Sequence, residues 1–113
     1  MAFKLAVADM IGITVEGATR DDHGKDKPFK FVLVCDRLDA DQIRAQLNDK
    51  EGTTTGFFEE HAKDWRGQNL VLGDDDKPAP FSVEALRVLF TIGGLSAMCW
   101  QAYLTQVVAS AKN

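Results

Sequence analysis

A chain of 113 residues with 45% hydrophobic side chains can build one compact core and is short for two. Lys and Arg number 13 against 17 Asp and Glu, a net charge of −4, and neither sign is gathered into one half. That balance argues against nucleic-acid binding, which needs a clustered positive stripe to neutralise phosphates. The opening MAFKLAVADM has no long apolar run and no cleavage site, so a secretory signal is not expected. The apolar stretch 95–108 is interrupted by Ser96, Gln101, Thr105 and Gln106 and falls short of the roughly 20 apolar residues that span a bilayer.

Taken in chain order, Phe3, Leu5 and Val7 alternate with other residues, which allows an additional N-terminal strand. Ile11, Ile13 and Val15 then alternate with Gly12, Thr14 and Glu16, the period of a strand with one buried face. In FKFVLVC, Phe29, Phe31, Leu33 and Cys35 share one face, and the Gly-, Asp- and Lys-rich ATRDDHGKDKP between the two runs reads as a hairpin connection. The two cysteines, Cys35 and Cys99, lie far apart, and Cys35 sits in this strand-like run. Reduced thiols and a cytoplasmic location are therefore expected.

LDADQIRAQL carries a helix start. Asp39 is the N-cap, Gln42 completes a capping box, and Leu38 with Ile43 forms a hydrophobic staple. This helix should end near Asn48, and one threonine of DKEGTTTG can cap the next. The second helix is expected to run through FFEEHAKDW, with Phe58, Ala62 and Trp65 on one face, and to stop at Gly67. Ser82 caps a third helix, stapled by Phe81 and Leu86 and approached through Pro80, with Val83, Leu86, Leu89 and Phe90 as its apolar stripe. Gly93 and Gly94 break it. The last helix, from about Leu95, presents Leu95, Met98, Ala102 and Val108 on a face widened by Trp100, Tyr103, Leu104 and Val107. The expected fold is a single α+β domain, with an N-terminal antiparallel β-hairpin over residues 1–37 packed against about four helices over residues 38–113.

Candidate chemistry is sparse. Asp74, Asp75 and Asp76 fail as a calcium loop, because counting from Asp74 places Ala79 where Gly is required and Ala85 where Glu is required. A turn is the expected reading. Neither His23 nor His61 has a Cys or His partner at zinc-site spacing. His61 beside Glu59 and Glu60 is expected to be an ordinary helix histidine rather than a base, and His23 among Asp21, Asp22 and Asp26 a solvated hairpin tip. No GxSxG or SxxK nucleophile motif is present, and GGLSAM lacks the GK[ST] ending of a phosphate loop. The aromatic residues are expected in the core.

From Pro28 onward, the runs FKFVLVCDRLDADQI, DWRGQNLVL and DDDKPAPFSVEALRVL and the apolar final helix with Tyr103 resemble the phage and prophage tail assembly chaperones, minor tail assembly proteins of long-tailed phages. The matching positions are Asp64, Trp65, Arg66 and Gly67, then Pro80, Phe81, Ser82, Glu84 and Leu86. The resemblance implies a non-catalytic chaperone without cofactor or metal. It would oligomerise in the host cytoplasm, bind the tape measure protein and assist tail tube assembly around it. Its working parts would be helical faces, and Trp100, Tyr103, Leu104 and Val107 are the candidate partner contacts. The closing Ala111, Lys112 and Asn113 are compatible with a slippery heptamer of the frameshift type that such families use. Two rival readings stand beside it: a structural virion component such as a tail tube or completion protein, and a small metal-dependent enzyme using Asp74–Asp76, His23 or His61.

Overall fold

The computed structural model describes residues 2–109. Among them the order of elements is β1 (Met10–Arg20), β2 (Asp26–Asp36), α1 (Ala40–Asn48), α2 (Thr54–His61), β3 (Ala62–Arg66), α3 (Val83–Leu89) and α4 (Leu95–Val107). The fold is α+β, with an antiparallel sheet in the order β1-β2-β3 and the helices gathered on one face.

The alternation read from the sequence sets the hairpin register. Ile11 pairs with Cys35, Ile13 with Leu33 and Val15 with Phe31, so all six side chains face the core. Asp21 builds the tip, where its carboxylate accepts from the backbone N–H groups of His23 and Lys25 at 2.8 and 2.9 Å, and Gly24 takes the left-handed conformation the turn needs (φ 78°). His23 stands exposed there, next to Asp22.

The third strand does not come from the N-terminus. Phe3, Leu5 and Val7 are 90%, 81% and 56% exposed and lie outside any strand; β3 fills the place beside β2 instead. This also corrects the second helix, which stops at His61 rather than continuing through Trp65. Ala62 and Trp65 are buried in either conformation: residues 58, 62 and 65 share a helical face, and in the sheet a bulge at the Val34/Cys35 step sets Ala62 opposite Cys35 and Trp65 opposite Leu33, both on the core face. Ladder hydrogen bonds to β2 decide for the strand. Gly67, with φ 76°, turns the chain out of β3 and not out of a helix.

The helix starts are as the sequence signals. Asp39 accepts from Gln42 N at 2.8 Å while the Gln42 side chain accepts from Asp39 N at 2.9 Å. Thr53 caps α2 and Ser82 caps α3. α1 buries no side chain of its own and is anchored through Leu38, which precedes it. α4 crosses the sheet on Leu95, Cys99, Tyr103 and Val107, one residue every fourth position. Met98 and Ala102 lie on its half-buried flank, and Val108 is exposed beyond its end. The candidate frameshift residues 111–113 lie outside the described residues.

Candidate functional site

The four candidate contact residues separate by depth. Tyr103 is fully buried and Val107 nearly so, while Trp100 and Leu104 are partly exposed. The Tyr103 hydroxyl donates to Asp36 O at 2.8 Å and accepts from Leu38 N at 3.0 Å, which pins α4 to the end of β2 and the start of α1. Burial pushes its phenol above the usual tyrosine range. Tyr103 and Val107 are therefore core residues that hold the helix in place. The surface available to a partner begins at Trp100.

Trp100 sits in an aromatic group. Its ring meets Phe57 edge-on at 4.9 Å and stacks on Tyr103 at 6.1 Å, and Phe57 meets Phe58 and Tyr103 edge-on at 5.1 Å each. Above it opens a cleft of about 190 Å³, bounded by Leu47 at the end of α1, the α1–α2 turn with Thr53 and Thr54, and Phe57 and Trp100. Asp49 shapes the turn by accepting from Glu51 N and Gly52 N. With Leu47 58% exposed, the cleft joins an apolar floor to a polar rim, an arrangement suited to one apolar side chain of a partner.

The titratable candidates have structural places. Asp74–Asp76 form the tip of a short turn closed by the Leu72–Pro78 bridge, in which Gly73 N donates to Lys77 O and Asp76 N to Gly73 O. The Asp75 carboxylate accepts from Lys77 N, and Asp76 adopts φ 60°. His61 Nδ1 lies 3.1 Å from Asp36 Oδ2, and Lys63 Nζ lies 3.7 Å from the same oxygen. The His61 ring packs on Phe57 with centroids 4.7 Å apart. This cluster ties the α2–β3 junction to the end of β2. Among the described residues, no group of three or more His, Cys, Asp or Glu side chains is arranged to hold a metal ion. Cys35 and Cys99 are free and buried, and burial pushes both thiols up to about 12, so neither is a ready nucleophile.

The motif residues act through packing. Trp65 meets Phe81 edge-on at 5.3 Å and donates from Nε1 to Ala79 O at 3.0 Å, so the DWRG run and the Pro80-Phe81-Ser82 helix start are two sides of one contact. Sequence reasoning missed Gln68. It is 2% exposed; its Nε2 donates to Val71 O and Ala79 O, and its Oε1 accepts from Leu70 N and Val71 N. A glutamine after Gly carries no periodic signal that would mark it as buried. Gln106 likewise interrupts the apolar run of the last helix without any sequence signal of a partner, yet its amide pairs with the Thr14 backbone on β1. Comparison with protein-family models, curated proteins and solved structures finds no match to this chain.

Proposed function

We propose that this protein is a phage or prophage tail assembly chaperone, a non-catalytic oligomeric protein of the host cytoplasm that binds the tape measure protein and assists tail tube assembly. The sequence resemblance from Pro28 onward supports the class. The observation that carries the reading in three dimensions is the Trp100 cleft, an aromatic notch between three helices with exposed Leu47 on its rim. A long helical client offers apolar side chains at helical spacing, and a notch of this kind accepts one such anchor. Leu104, one helical turn beyond Trp100 and partly exposed, extends the same surface.

Co-purification with tape measure protein fragments from the same genome tests this. Trp100→Ala and Leu47→Asp are expected to weaken capture at least tenfold, with far-UV circular dichroism unchanged. Full capture by both variants would remove the cleft from the reading. Neighbouring genes that encode neither a tail tube protein nor a very long tape measure protein would remove the class.

A further inference from the structure

Among the described residues the sheet has a free edge along β1, whose other side pairs with β2. In an antiparallel ladder alternate residues turn their N–H and C=O outward. Thr14 is one of these: its N–H donates to Gln106 Oε1 and its C=O accepts from Gln106 Nε2, both at 2.8 Å. Glu16, Ala18 and Arg20 share its orientation, so residues 16–20 present three outward donor–acceptor pairs beyond the point where Gln106 stands in for a strand. The outer face of this stretch carries an open hollow of about 440 Å³ lined by Glu16, Gly17, Pro28, Phe29 and Lys30, of which Glu16, Pro28 and Lys30 have the parity opposite to the core-facing Val15 and Phe31.

The same chain carries an unpaired strand. Residues 3–7 alternate apolar and other side chains, and Phe3 and Leu5 are the most exposed large apolar side chains among the described residues, with Val7 also exposed. Among the described residues, this arm makes no backbone hydrogen bond before Asp9 O accepts from Arg37 N. It cannot reach the open stretch of its own β1. Folded back through the tightest turn, at Ala8 and Asp9, it would place Phe3 opposite Thr14, where Gln106 already sits. That turn also favours Gly or Asn at positive φ, which Ala8 does not supply.

We propose that residues 16–20 of β1 receive residues 3–7 of a second copy of this chain as a fourth strand. Five arm residues match five edge residues. Opposed residues share a face, so Phe3, Leu5 and Val7 would lie with Glu16, Ala18 and Arg20 on the outer face beside the hollow, with Leu5 opposite Ala18 in either strand direction. Gln106 sets the register by closing the edge at Thr14. The contact is an edge addition in which main-chain hydrogen bonds supply affinity and alternate side chains supply specificity. It needs no client: a single-chain mass would also remove the oligomeric part of the function proposed above, while client binding is tested separately by co-purification.

Light scattering without client, together with cross-linking, tests it. The wild-type chain is expected at twice the single-chain mass or more, and deletion of residues 2–8 is expected to give a single-chain mass with unchanged circular dichroism. Leu5→Asp with Val7→Asp, which alters only exposed side chains, should do the same and guards against a deletion that fails to fold. In a mixture of Leu5→Cys and Ala18→Cys chains of different tag length, a short bis-maleimide should join the two kinds of chain. A wild-type chain that stays at single-chain mass, association that survives the arm variants, or a Leu5→Cys/Ala18→Cys double variant that links only within itself would each overturn the proposal.

Discussion

Removing one oxygen atom from the core tests how α4 is held. Tyr103→Phe keeps the ring, its contacts with Phe57, Phe58 and Trp100, and the buried volume, and deletes only the hydroxyl. Two backbone groups then lose their partner: the buried N–H of Leu38 and the C=O of Asp36. Each hydrogen bond contributes about 0.5–1.5 kcal/mol net, and a buried donor left unmet costs toward the upper end, so the expected loss is about 1–3 kcal/mol. At roughly 2.1 cal/mol/K per residue, the 113 residues unfold with an entropy of about 240 cal/mol/K, and the loss becomes a fall in Tm of about 4–13 °C. Thermal unfolding followed by circular dichroism reads it, with urea titration as a check that the m-value is unchanged. A fall of less than about 1 °C with intact near-UV signal would show that Leu38 and Asp36 find other partners, and would refute the hydroxyl as the tie between α4 and the sheet.

Three further outcomes are expected. Gln68→Ala leaves Leu70 N and Val71 N without their acceptor, while Val71 O keeps Ala79 N, and should cost at least about 2 kcal/mol in urea unfolding; a loss under about 0.5 kcal/mol would mean the loop reorganises around the gap. Asp76, at φ 60°, should gain a few tenths to about 1 kcal/mol on substitution by Gly and lose about 1 kcal/mol or more on substitution by Val, and equal melting temperatures for the two variants would remove backbone strain as the cause. Cys35 and Cys99 are both raised in the folded state from 9.0 to about 12, so the unfolded chain releases these protons first as the pH rises. Their contribution to stability is full below pH 9 and is lost between pH 9 and about 12, and wild type should lose more stability across that window than Cys35→Ala/Cys99→Ala. Parallel stability curves for the two proteins above pH 9 would contradict this.

Local rules account for what could be read early. Asp39 with Gln42, Thr53 and Ser82 mark helix starts because the orphan N–H groups of a first turn need acceptors close in sequence, and those acceptors are visible in the sequence itself. The hairpin is legible for a similar reason: period-2 alternation fixes the buried face, and the Asp- and Gly-rich connection fixes the turn. The Asp74–Asp76 turn belongs to the same class, since Asp75 satisfies a backbone group two residues away.

Where the sequence misled, two placements buried the same side chains. Phe58, Ala62 and Trp65 satisfy a helical stripe; Ala62 and Trp65, three apart, would alternate faces in a regular strand, and a bulge at the Val34/Cys35 step of the ladder brings both to the core face. The free side of β2, distant in sequence, turned residues 62–66 into β3. Phe3, Leu5 and Val7 have the strand pattern, but a pattern supplies no partner, and within one copy that place is filled by β3 or closed by Gln106. The roles of Tyr103, Gln68 and Gln106 were likewise decided only in three dimensions. Tyr103 and Gln106 bond to backbone groups 65 to 92 residues away, and Gln68 reaches across a loop closed by the contact of Trp65 with Ala79 and Phe81. The sequence by itself determined the elements whose partners lie within a few residues. Tertiary structure decided every case in which a side chain or strand had two acceptable local homes and only a distant backbone group could choose between them.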